Sequence, residues 1–155
     1  MMRLASEISV RHQPGADEDA IPTSEVLLQG IASGALVSGA VLEAAVQWRS
    51  FYLLFLTDDV PFEEGLNIHL LDERGALLDS ATLGGAYSSG HFHNLLLGDG
   101  DRLSFRFIGD TTWHLELLQH PQFRLPLVSE PAGVRRRLGF SRHFILRGNP
   151  KPQAS

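Results

Sequence analysis

Apolar and polar residues alternate with a period of two along most of the chain, the spacing of side chains on a half-buried strand. In "RLASEISV", Leu4, Ser6, Ile8 and Val10 share one face, which predicts a first strand. Pro14, Gly15, an acidic run and Pro22 then mark a surface loop. Leu42, Ala44, Val46 and Trp48 alternate with Glu43, Ala45, Gln47 and Arg49, again as in a strand, with a helix over Leu36 to Gln47 as the alternative. The run Phe51 to Leu56, "FYLLFL", loses the alternation, which predicts a strand buried on both faces. "LNIHLLDERGALLDSATLG" reads as a hairpin that turns across Asp72 to Gly75. His120 to Gly133 holds three prolines and predicts an irregular extended crossing, and "LGFSRHFILR" a last strand. Short strands with Gly, Pro and Asp turns predict an all-β fold, an antiparallel β-sandwich or jelly-roll-like barrel with at most one short helix. Residues 1–148 read as a single β domain and 149–155 as a C-terminal tail.

Register arithmetic extends the reading to "GHFHNLLLGDGDRLSFRFIGDTTWHLELL". Residues directly opposite in an antiparallel pair share a face. Placing Phe107 opposite Trp113 and Phe105 opposite Leu115 aligns the apolar sets and makes Gly109-Asp110-Thr111 the loop. Arg106 then faces His114, and Ser104 faces Glu116, on the polar side. If Asp99-Gly100 is a two-residue type I′ turn, the conformation that dipeptide favours, Phe92 sits opposite Phe107 and His93 opposite Arg106. His93, Arg106 and His114 then form a row on the outer face, with His91 and Glu116 nearby. An odd loop swaps the faces: Leu95 and Leu97 join the phenylalanines, and His91 and His93 point at the core. The Asp-Gly signal favours the first register.

The two registers imply different chemistry. Outward, the fixed charge of Arg106 opposes a divalent metal, and the row suits a small anion or the acidic surface of a partner. Inward, His91 and His93 become two imidazole ligands for a divalent transition metal, with His69 the candidate third. The spacing from Gly85 to His91-Phe92-His93 resembles the start of the first cupin motif. Cupins are double-stranded β-helix proteins, often metal enzymes, so the resemblance implies a metal-dependent β-barrel enzyme. Here Leu97 and Gly98 stand where that motif wants a glutamate, and Arg136 stands where the second motif wants a histidine after Pro131-Ala132-Gly133.

Charge changes the picture further. Residues 121–155 carry seven Lys/Arg against one Glu, a net +6, so residues 1–120 carry −11 of the total −5. The ends are complementary, which fits self-association or a protein partner. Arg135, Arg136, Arg137 and Arg142 interleave with Phe140 and Phe144, a pattern that can contact nucleic acid but suits a sheet edge better. Arg142 shares the parity of both phenylalanines, so one arginine falls among the aromatics. Asp58, Asp59, Glu63 and Glu64 read as a solvated turn or a calcium loop. No cysteine is present, which excludes disulfides and thiolate chemistry and fits a reducing, cytoplasmic setting. No nucleophile elbow, phosphate loop, signal peptide or membrane span is legible. The expectation is a homo-oligomeric binding module without catalytic activity or cofactor, the cupin-like metal enzyme being the alternative.

Overall fold

In the computed structural model, residues 2–13, 22–59, 65–84, 91–108, 111–123, 134–136 and 141–148 are described, with backbone alone at 122, 123, 135, 136 and 141. They form thirteen strands in three antiparallel sheets and no helix. The central sheet has six strands in the order β1 (Met2–Leu4), β5 (Val41–Trp48), β6 (Phe51–Thr57), β7 (Leu66–Leu71), β8 (Leu77–Leu83), β12 (Val134–Arg136). One of its faces packs on a four-stranded sheet ordered β13 (Ser141–Arg147), β11 (Thr112–Phe123), β10 (Arg102–Arg106), β9 (His93–Leu97). The other packs on a three-stranded sheet, β2 (Ile8–Gln13), β3 (Thr23–Leu28) and β4 (Ile31–Ser38). The fold is thus a layered sandwich, not the closed barrel that the cupin resemblance implies.

β6 and β7 lie in the middle of the middle layer. Leu53, Phe55, Leu66, Ile68 and Leu70 point to the four-stranded sheet and meet Phe105, Phe107, Trp113, Leu115 and Phe144. Leu54, Leu56 and Leu71 point the other way and meet Val26 and Val37. Burial on both sides is why "FYLLFL" has no alternation. Phe55, Phe92 and Phe105 form an aromatic triad with centroids 4.9–5.4 Å apart.

The expected first strand is two strands. Between β1 and β2 the chain leaves the central sheet for the three-stranded one, turning at Ala5, whose N–H still donates to Ala45 O at 2.8 Å. Leu4 is consequently 63% exposed while Ile8 is buried. The helix alternative over Leu36 to Gln47 gives way to β4 and β5, joined at Gly39. Gly39 has φ +122°, and an added Cβ would lie 2.4 Å from Leu56 Cβ, so only glycine fits this crossing between layers. The Asp72–Gly75 turn is as expected: Asp72 Oδ1 accepts from Arg74 and Ala76 N–H groups, both at 2.9 Å, and Gly75 has φ +87°. The expected irregular crossing begins inside a strand: β11 runs on through His120, Pro121 and Gln122, but its register against β13 shifts between Leu117 and Gln122; residues 124–133 and the 149–155 tail lie outside the described residues.

On the face of the central sheet toward the three-stranded layer, β7 and β8 turn polar. Asn67 Nδ2 donates to Asp58 Oδ1 at 2.7 Å, and its Oδ1 accepts from Ser38 and Thr82 hydroxyls. His69 contacts Ser80 Oγ at 2.7 Å through Nδ1 and Ser38 O at 2.9 Å through Nε2. Burial pushes the His69 imidazole below its ordinary pKa, against a smaller upward effect of the Ser38 carbonyl. The unfolded chain therefore binds more protons than the folded one as pH drops below the ordinary imidazole value of 6.5. The stability His69 supports is full above that value and is lost as pH falls. Urea unfolding between about pH 8 and about pH 5 should show wild type losing stability more steeply than His69→Gln. Parallel slopes would refute the assignment.

Candidate functional site

The β9–β10 hairpin decides where the histidines point. Gly98 N–H donates to Arg102 O at 2.9 Å, and Leu97 pairs with Leu103, so the loop is the odd, three-residue Asp99-Gly100-Asp101. The expected two-residue turn is therefore corrected. Near the turn the faces swap as that alternative requires, and Leu95 and Leu97 pack against the core. Asn94 then takes φ +54° inside a bulge, and the parity changes back. Beyond it His93 pairs with Arg106 and Phe92 joins the aromatic triad. One strand thus combines the apolar half of one register with the polar half of the other. His91 and His93 are exposed, and His93 Nδ1 lies 2.7 Å from His91 O.

The β10–β11 pairing is slipped by two residues from the expected one. Phe107 N–H donates to Thr111 O at 3.2 Å and Ile108 adopts φ +63°, so Phe105, not Phe107, faces Trp113. A slip of two keeps every residue on its face. It changes neighbours, however: Arg106 faces Thr112, Ser104 faces His114 and Arg102 faces Glu116. The row His93–Arg106–His114 does not form. Instead Arg102 Nε donates to Glu116 Oε2 at 3.0 Å.

β13 completes the face from the other side of β11. His114 pairs with Arg147 and Glu116 with Ile145. A groove of about 260 Å³ results, lined by Arg102, His114, Glu116, Ile145 and Arg147 over the Leu103 and Leu115 positions. Arg102, His114 and Arg147 are exposed; Glu116 and Ile145 are half-buried. Across the described strands of this sheet, the outward positions hold Arg102, Arg106 and Arg147 against Glu116 as the one carboxylate. Arg102, Arg147 and Ile145 were not among the candidates: Arg102 meets Glu116 only through the slip of two, and the place of the other two depends on the pairing of β11 with a strand far along the chain.

The other candidates lie elsewhere. Arg142 is 3% exposed and faces inward with Phe144 and Leu146, so it does not join the outer face. Asp79 is also buried in that layer and accepts the His143 N–H at 2.9 Å. Arg135 and Arg136 sit in the short edge strand β12, paired with Thr82 and Ala81. Arg137, Phe140, Gly85, Val60 to Glu64 and Pro131 to Gly133 lie outside the described residues. The proposed metal set does not come together: His69 is buried beneath the opposite sheet with both ring nitrogens engaged, while His91 and His93 are exposed. No group of three or more His, Asp or Glu positioned for a metal occurs among the described residues. Asp101 of the "GDGD" turn has a structural task. It accepts from Trp48 Nε1 at 2.7 Å and Gln119 Nε2 at 3.2 Å, and these bonds hold its carboxyl below the ordinary value.

Fold and face together define a three-layered all-β protein with a basic outer sheet surface. Compared with protein-family models, with curated proteins and with solved structures, the chain matches none. Among the described residues no helix is long and apolar enough to cross a membrane.

The bulge makes a testable demand on residue 94. Asn tolerates positive φ, Gly does so without strain, and a β-branched residue does not. Asn94→Gly should leave stability within about 0.5 kcal/mol, and Asn94→Val should cost about 1–3 kcal/mol. Equal stabilities in denaturant titrations would place Asn94 in an ordinary extended conformation instead.

Proposed function

We propose that this chain is a small non-catalytic binding module of the cytoplasm that recognises an acidic protein surface with the outer face of its four-stranded sheet. The observation that carries the reading is the charge of that face, three guanidinium groups with one carboxylate on the described strands. Such a surface attracts an anionic partner over about one Debye length and sets its orientation before contact. Arg106 and His114 remain in the reading as binding residues, joined by Arg102 and Arg147. A second copy of the chain is a natural partner, since residues 1–120 carry −11. A polyanionic nucleic acid fits less well, because the chain as a whole is at −5.

The test is binding to immobilised poly-L-glutamate at low and high salt. Wild type should bind at low salt and release as salt rises. The variant Arg102→Gln/Arg106→Gln/Arg147→Gln should bind at least about tenfold more weakly. Arg102 and Arg147 are exposed and Arg106 is half-buried on the outer face, away from the core, so the variant should keep its thermal transition. No binding by wild type at low salt, or undiminished binding by the folded variant, would defeat the reading.

A further inference from the structure

We infer that the groove between β10, β11 and β13 is a subsite for a single oxyanion, a carboxylate or phosphate group, with Arg147 and His114 as its principal donors. The inference rests on the binding role proposed for this face and narrows it to one place and one chemical group.

Three features point to it. The first is register. His114 and Arg147 are directly opposite, so their side chains leave the sheet about 5 Å apart on one face. Two donors at that separation can hold one trigonal or tetrahedral anion between them, and a planar guanidinium can grip two of its oxygens. The second is charge. Glu116 projects into the same groove, but its carboxylate is taken by Arg102 at 3.0 Å, which leaves the guanidinium of Arg147 without an acidic partner among the described residues. Two arginines and one glutamate give the groove a net positive charge, which opposes a metal cation and favours an anion. The third is size. A volume of about 260 Å³ is below the roughly 300–1,000 Å³ of sites for drug-sized ligands. It suits one small anion or one acidic side chain. Half-buried Ile145, opposite Glu116, supplies an apolar wall against which the methylene groups of an entering Asp or Glu can pack.

The same group can arrive free in solution or on a partner protein. Backbone amide NMR titration of the intact protein, at constant ionic strength, separates the two. The probes are inorganic phosphate and an N-acetylated, C-amidated triglutamate. At least one should produce saturable shifts centred on residues 114–116 and 145–147. Tighter binding of phosphate identifies a site for free anions, and tighter binding of the peptide a site for a partner's carboxylate; both support the subsite. Arg147→Gln should weaken the better probe about tenfold, the loss of a charge-assisted hydrogen bond. Arg74→Gln, an exposed arginine of the Asp72–Gly75 turn away from this face, should change it less than about twofold. Non-saturating shifts, or equal weakening by the two variants, would overturn the subsite and leave a diffuse basic surface. Poly-L-glutamate binding that vanishes in the triple variant, while neither small probe saturates on wild type, would likewise defeat the subsite while the broader role stands. Saturable phosphate binding in a protein that ignores poly-L-glutamate would defeat the broader role and keep the subsite.

Discussion

The burial of β6 and β7 on both faces is the constraint on which the architecture depends. Phe51 to Thr57 and Leu66 to Leu71 are almost wholly withdrawn from water. Each fully buried large apolar side chain contributes about 1.5–3 kcal/mol relative to exposure, so neither face can be left bare. A single covering sheet satisfies one side only. The chain therefore supplies two covers, one from Ile8 to Ser38 and one from His93 to Arg147. The order of events along the sequence follows: cover, centre, cover. The short β1 and β12 close the edges of the central sheet, which limits the backbone exposed for edge-to-edge pairing.

The two interfaces differ in kind. The one toward the four-stranded sheet is dominated by Phe55, Phe105, Phe107, Trp113 and Phe144, and its shape is fixed by ring packing. Asp79 and Arg142 are buried there as well, one carboxylate and one guanidinium at the margin. The one toward the three-stranded sheet is apolar over β5 and β6 and hydrogen-bonded over β7 and β8. Apolar packing tolerates sliding; Ser38 against Asn67 and His69 does not, because a shifted strand would strand buried donors and acceptors. The polar seam thus sets the position of a cover whose apolar contacts alone would leave it free to shift.

Period-two alternation states which face a residue occupies and nothing about its neighbour across the pair. That is why the all-β class, the doubly buried "FYLLFL" strand and the Asp72–Gly75 hairpin were legible, while the partners on the outer face were not. Phe105 and Phe107 are interchangeable opposite Trp113 as far as alternation goes, since a slip of two preserves both faces. Only the Ile108 conformation, φ +63°, distinguishes the two registers, and a β-branched residue there is not one that sequence rules propose. In β9 two irregularities cancel. The odd loop reverses the faces and the Asn94 bulge restores them, so each simple register explains half of the strand. The break between β1 and β2 was hidden for a related reason. Ser6 and Ile8 continue the parity of Leu4 although the chain has changed sheets.

The slip of two also determines the electrostatics of the outer face. In the expected register Arg106 would stand between His93 and His114, and Glu116 opposite Ser104. In the observed one Glu116 meets Arg102, while His114 stands between Ser104 and Arg147. The one carboxylate on the described strands of the face is thereby used internally at one side of the groove, and Arg147 at the other side keeps its field toward solvent. An exposed pair such as Arg102–Glu116 contributes little stability, typically under about 1 kcal/mol. Its larger effect is positional: it keeps the carboxylate off Arg147. A backbone displacement of one pleat, invisible to hydrophobic pattern, thus replaces a His93–Arg106–His114 row with a groove that has one neutralised wall and one cationic wall.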